Sequence, residues 1–145
     1  MKVLLLNGSP HEKGCTYRAL TEVAGALTNE GIETEIVHIG NQAIHGCIGC
    51  GKCAAAGRCV FKGDPVNAFL DKMEHADGLV VGSPVYYASA NATLIACLDR
   101  LFYSTSFDKS MKVGASVVCA RRGGCSATFD ELNKFFTISN MPIAS

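Results

Sequence analysis

The opening run Lys2-Val3-Leu4-Leu5-Leu6-Asn7, cut off at Gly8-Ser9-Pro10, constrains the fold more than any other stretch of the chain. A strand that is apolar at successive positions must be covered on both faces, as a central strand of a parallel sheet is. Parallel strands need crossover connections, and the following segments supply them. Residues 16–30 place Tyr17, Leu20, Val23, Ala24 and Leu27 on one helical face, with Gly31 as the stop. Ile32–Ile39 is rich in β-branched residues and more charged, as suits a strand nearer an edge. Asp64-Pro65 opens a helix, Asp as N-cap and Pro at the first helical position, with the stripe Val66, Phe69, Leu70 and Met73. Gly78–Ser83 reads as a third strand, Leu94, Ile95, Leu98, Leu101 and Phe102 as the next helix, and Val113–Ala120 as a fourth strand. Thr128 with Glu131 reads as a capping box opening a helix that buries Phe129, Leu132 and Phe135. Pro142-Ile143-Ala144-Ser145 reads as the start of a fifth strand.

This alternation predicts an α/β three-layer sandwich, a parallel sheet with helices on both faces and strand order 2-1-3-4-5. A closing C-terminal helix is expected after the fifth strand and is not found, so residues 1–145 read as one domain, either C-terminally truncated or completed by something else. A chain of this length buries about 70% of its unfolded surface and needs no disulfides to fold. No apolar run approaches the ~20 residues of a membrane span, and the N-terminal run is too short for a signal peptide. With 13 basic and 13 acidic residues there is no electrostatic footprint for nucleic acid or anionic lipid. The expectation is a cytoplasmic protein without nucleic-acid or membrane partners. In a reducing compartment its eight cysteines are more often ligands or redox groups than disulfides.

Four of those cysteines fall in Cys47-Ile-Gly-Cys50-Gly-Lys-Cys53-Ala-Ala-Ala-Gly-Arg-Cys59, inside a loop, 40–63, that shows no periodicity. Loops of that length in compact domains are usually functional. Four thiols so close, with glycines between them, suit a compact metal or iron–sulfur site. Structural zinc more often uses two Cys-x2-Cys pairs set farther apart. Free thiols or a redox-active pair are the metal-free alternatives. Cys15, Cys97, Cys119 and Cys125 read as small buried hydrophobes, and His38, His45 and His75, which lack ligand spacing, as surface or satisfied core residues.

Gly8-Ser9-Pro10-His11-Glu12-Lys13-Gly14-Cys15-Thr16 joins the first strand to a helix N-terminus, where free N–H groups and the helix dipole favour an anion. Ser9 and Thr16 add hydroxyls; Lys13 and His11 add positive charge. The order Lys13-Gly14-Cys15-Thr16 does not make a P-loop, two glycines do not make a Rossmann fingerprint, and Cys53 and Arg58 are too close for a phosphatase loop. An unliganded βα turn is the plain alternative. Ser83-Pro84-Val85-Tyr86-Tyr87 and Ala120-Arg121-Arg122-Gly123-Gly124 leave the third and fourth strands at the same sheet edge. Phosphate cradle, aromatic pair and guanidinium-bearing glycine turn together suit a planar ring with a phosphate tail, although packing alone also explains the tyrosines.

The pattern Gly-Ser-Pro-x3-Gly-x-Thr, Ser83-Pro84-Val85-Tyr86-Tyr87, Leu98-Asp99-Arg100-Leu101 and Arg121-Arg122-Gly123-Gly124 resembles the NADPH-dependent FMN reductase family of flavodoxin-like proteins. The cysteine loop makes it look most like the iron–sulfur flavoprotein branch. That resemblance implies FMN, its phosphate facing Ser9, His11, Lys13, Cys15 and Thr16. The ring would be lined by Pro84, Val85, Tyr86 and Tyr87, its pyrimidine edge approached by Arg122 and Gly123. His11 and Cys15 stand where relatives often carry Arg and Asn. The resemblance further implies a 4Fe-4S cluster on Cys47, Cys50, Cys53 and Cys59, and a homodimer or tetramer. The expected activity is an oxidoreductase moving electrons from NAD(P)H or ferredoxin to a small-molecule or protein acceptor. A non-enzymatic flavodoxin-like carrier, a cluster-free NAD(P)H:FMN or quinone reductase, and a flavin-free metal-binding or thiol-redox module are the alternatives. Flavodoxins are usually acidic, and this chain is neutral.

Overall fold

The computed structural model describes residues 1–144. Its elements are β1 (Lys2–Asn7), α1 (Cys15–Asn29), β2 (Glu33–His38), α2 (Cys53–Ala56), α3 (Val66–Glu74), β3 (Gly78–Tyr86), β4 (Ser89–Ala90), α4 (Ala92–Tyr103), β5 (Val113–Cys119) and α5 (Cys125–Ile138). The four long strands are parallel in the order β2-β1-β3-β5. Ile143 adds an isolated parallel bridge to Gly114 of β5, at the place that the expected order gives to its last strand. Ser145, assigned to that strand from sequence, lies outside the described residues.

Both faces of β1 are buried, as its unbroken apolar run demands. Val3 and Leu5 pack with Val80 under Leu20 and Ala24 of α1. Leu4 and Leu6 face the other way, with Leu79 and Val81, against α3, α4 and α5. Among the described residues no helix is long and apolar enough to cross a membrane.

Three element readings are corrected. Helix α5 begins at Cys125, not at Thr128, because Gly124 takes the left-handed conformation (φ 93°) and serves as N-cap. Thr128 is then a fully buried helix residue whose hydroxyl finds no partner among the described residues. The apolar face turns accordingly. Phe136 is fully buried and Phe129 only half-buried, and Phe136 packs where a Cβ on Gly114 would lie 2.5 Å from its ring. Helix α3 starts one residue later than read, at Val66, with Asp64 Oδ1 accepting the Val66 N–H at 3.2 Å. Finally, β3 runs beyond Ser83 and turns back into β4.

Candidate functional site

Parallel strands point their carboxyl ends the same way, so the turns leaving β1, β3 and β5 gather along one edge, where α/β folds bind ligands. The first turn is organised by Asn7, fully buried at the end of β1. Its Oδ1 accepts the Ser9 N–H at 3.1 Å and its Nδ2 donates to Glu12 O at 3.0 Å. Ser9 Oγ accepts the His11 N–H at 3.1 Å, and the Gly14 N–H donates to His11 O at 3.2 Å. The loop therefore arrives pre-shaped at α1. Gly14, the N-cap, has no side chain to cap with, and no acidic residue lies in the first helical turn. Those first N–H groups and the positive end of the dipole are left for an outside acceptor. Of the residues assigned to a phosphate, Ser9 and Thr16 are buried beside the backbone, while His11, Lys13 and Cys15 are exposed.

Two further contacts hold this turn in place. The Gly8 N–H donates to Gly82 O of β3 at 2.9 Å. A ring nitrogen of His38, at the end of β2, lies 2.8 Å from Ser9 O. Neither Asn7 nor His38 was singled out for the site from sequence. A buried Asn closing an apolar strand just before Gly-Ser-Pro was the available signal.

The second and third turns form a cleft of about 600 Å³ lined by Val85, Tyr86, Tyr87, Ala88, Arg121, Arg122 and Gly123. It brings together every residue assigned to the ring except Pro84, which is half-buried in β3. Tyr86 is 47% exposed and Tyr87 fully so, an unusual display of aromatic surface. The β3–β4 hairpin turns through Tyr87 (φ 51°) and Ala88 (φ 61°), both left-handed. Such tight turns normally use Asn or Gly, so the backbone here stores strain. Glu131 of α5 offsets it: its carboxylate accepts from Ser89 Oγ (3.0 and 2.9 Å) and from the Ala90 N–H (2.8 Å). Buried Ser83 links Pro84 O and the Asn91 N–H. A Cβ on Gly124 would lie 2.7 Å from Ala88 Cα, so the two turns touch only because position 124 is glycine.

The cysteine loop lies over α4. Cys47, Cys50, Cys53 and Cys59 line one narrow cavity with Phe61, Arg100 and Tyr103, and Gly49, Gly51 and Gly57, all at positive φ, curl the chain around it. α2 is a single turn within this loop. Cys53 Sγ donates to Tyr103 O at 3.6 Å, and Arg100 Nε donates to Cys59 Sγ at 3.2 Å. Among the described residues, no group of three or more His, Cys, Asp or Glu stands where it could hold a metal ion. The donor set, four thiols around one cavity, suits a cluster whose four irons each take a separate thiolate better than a single ion on which all four must converge.

Of the remaining thiols only Cys97 is fully buried, and desolvation pushes its pKa up to about 12. Cys15 is exposed, against the expectation, because it opens α1 on the loop side. Cys119 and Cys125 are half-buried, and burial raises the Cys119 thiol although a Thr16 hydrogen bond opposes it. His45 is exposed and stacks on Phe61 with centroids 4.8 Å apart, and His75 is exposed at the end of α3.

A flavodoxin-like α/β sandwich with its site at the carboxyl edge of the sheet is the class of protein that fold and geometry define. Over 99% of its length the chain superposes, at TM-score 0.76 and 18% identity, on 61% of the structure of RosB with bound 8-demethyl-8-formylriboflavin-5'-phosphate. It superposes over its whole length, at TM-score 0.68 and 13% identity, on 79% of a flavodoxin from the domain Archaea. An iron–sulfur flavoprotein of Methanocaldococcus jannaschii is 37% identical over 144 residues, covering 97% of this chain and 74% of that protein. The family model described as NADPH-dependent FMN reductase matches residues 1–145, and the chain belongs to that family.

Proposed function

We propose that the protein is an FMN-dependent oxidoreductase that also carries an iron–sulfur cluster in its cysteine loop. The observation that carries the flavin part is the uncapped start of α1 beside the arginine–tyrosine cleft, on the three turns that leave β1, β3 and β5. The Cys15, Thr16 and neighbouring N–H groups, with the Ser9 and Thr16 hydroxyls, would hold the phosphate, and Lys13 and His11 would add charge at its solvent side. Tyr86, Tyr87, Val85 and Pro84 would line the ring, and Arg122 with the Gly123 backbone would meet its polar edge. FMN, when bound, supplies two-electron and one-electron redox chemistry. The chain's residues bind it, orient it and exclude water from one face; no side chain is needed as acid or base.

Cys47, Cys50, Cys53 and Cys59 would hold the 4Fe-4S cluster. NAD(P)H serves a two-electron donor step at a flavin, and a one-electron carrier such as ferredoxin suits a cluster. The acceptor is a small molecule or a protein. Residues 1–145 form one flavodoxin-like FMN-binding domain that works as a homo-oligomer.

Anaerobic purification with added iron and sulfide, followed by absorbance spectra and iron and sulfide analysis, tests both halves. Flavin bands with about four irons per chain are expected, with the iron lost in Cys50→Ser. No affinity for FMN would overturn the flavin half. Flavin without iron would overturn the cluster half. Anaerobic turnover with NADPH separates an enzyme from a passive carrier.

A further inference from the structure

Arg100 stands on α4 with a side chain only 1% exposed, and it reaches both ends of the cysteine loop. Nη1 donates to His45 O at 3.1 Å, two residues before Cys47, and Nε donates to Cys59 Sγ at 3.2 Å. Nη1 and Nη2 also fork onto the carboxylate of Asp64, itself 6% exposed, with Nη2 to Oδ1 at 3.0 Å. The guanidinium lies 4.9 Å from the Phe61 ring centre, and His45 stacks on the same ring with centroids 4.8 Å apart. Four of the five N–H groups on one cation are thus engaged, two by the loop, 41 and 55 positions away in sequence, and two by Asp64 just beyond its end. A buried ion pair is no bargain for stability alone, since apolar side chains fill such space as well or better. An N–H aimed at a sulfur needs another reason.

We propose that Arg100 is a positioning residue of the cysteine loop and that its Nε–H···Sγ bond to Cys59, counterbalanced by Asp64, sets the reduction potential of the cluster held there. This rests on the cluster reading of the loop. Hydrogen bonds to cluster sulfurs and the net charge around them are what tune such potentials. A donor and a positive charge at Cys59 favour the reduced, more negative cluster. Asp64 offsets the charge while keeping the fork aligned.

The test is an EPR-monitored redox titration of the anaerobically reconstituted wild-type protein and of Arg100→Gln, Arg100→Lys and Asp64→Asn, with FMN binding as the check on folding. Arg100→Gln is expected to shift the potential negative. Asp64→Asn leaves the guanidinium uncompensated and shifts it positive; a merely structural role moves both the same way or not at all. Arg100→Lys keeps charge but loses the planar Nε–H, and falls between wild type and Arg100→Gln. In the wild type, pulsed EPR after exchange into D2O is expected to find a deuteron coupled to the cluster, a readout that needs no variant. Variants that bind FMN but lose a cluster the wild type retains support the positioning role. Wild-type potentials in all three variants, or no coupled deuteron, overturn the proposal and leave the cluster standing. A wild-type protein that binds FMN and takes up no iron overturns both.

Discussion

Gly8→Ala isolates the coupling between the first turn and the sheet. A Cβ there would lie 2.6 Å from Leu94 Cδ2, 2.9 Å from Leu94 Cβ and 2.9 Å from Gly82 O. The terminal methyl of Leu94 can rotate away, but its Cβ and the Gly82 carbonyl belong to α4 and β3 and cannot. Overpacking of this kind costs about 1–3 kcal/mol, and displacing the turn also weakens the 2.9 Å bond from the Gly8 N–H to Gly82 O, worth about 1 kcal/mol. A loss of about 2–3 kcal/mol follows, or a fall in Tm of about 6–8 °C at this size. Because the turn relaxes away from β3, the cradle at the start of α1 is displaced as well. If about 1.4 kcal/mol of the strain must be restored on binding, FMN affinity falls about tenfold. Thermal melts and fluorescence titration with FMN measure the two effects. Gly25→Ala is the control: a Cβ there meets nothing within 4 Å, on an exposed face of α1, so it stabilises by about 0.5–1 kcal/mol. A Gly8→Ala protein that melts with the wild type, or that melts early yet binds FMN unchanged, refutes the reasoning.

Glu131→Ala leaves the Ala90 N–H and the Ser89 hydroxyl without their acceptor, so stability is expected to drop by about 1–3 kcal/mol and FMN to bind more weakly as the strained hairpin loosens; chemical denaturation and flavin titration check this. Glu35 is held below the usual carboxylate range by the Lys72 hydrogen bond first, with Lys2 adding to it against a desolvation penalty. A depressed folded pKa means stability that is present above the ordinary value of 4.5 and lost as pH falls through the folded one. The stability gap between wild type and Glu35→Gln should therefore be constant at neutral pH and close on acidification, as urea melts across pH would show. Cys97, buried and with its thiol pushed up to about 12, should resist iodoacetamide in the native cluster-free protein while exposed Cys15, Cys47 and Cys50 react; mass spectrometry of digests reads the order, and early labelling of Cys97 would contradict its burial.

What sequence reasoning recovered is what is written locally. The run Val3–Leu6 needs no partner to be recognised as a strand buried on both sides, and the stripes on α1 and α3 repeat at helical period. Cysteine spacing likewise announces a set. Two of the misreadings involve partners far along the chain. Thr128 and Glu131 satisfy the spacing of a capping box, but Glu131 is engaged 41 and 42 residues away by Ala90 and Ser89, and Gly124 has already started the helix. Phe136 belongs to the core because Gly114, on a neighbouring strand, leaves room for its ring. The β3–β4 hairpin escaped notice because Tyr87-Ala88 carries none of the residues that favour positive φ.

The same division runs through the site. Residues of one turn, such as Ser9 and Thr16, could be named from their own loop, whereas those that hold the turns together sit elsewhere: Asn7 inside a strand, His38 at the end of another, Glu131 and Arg100 on helices. These are polar groups that fold into places where only a specific partner repays their desolvation. Their substitution should therefore alter the geometry of a bound group before it alters the overall fold. For Glu131 and Arg100 that ordering is open to direct measurement, since each touches its turn or loop from a helix whose apolar face is anchored independently by Leu132 and Phe136 in α5 and by Leu98 and Leu101 in α4. Loss of flavin or cluster properties at undiminished helical content is the expected signature; unfolding in step with the loss would mean that these contacts serve the core instead.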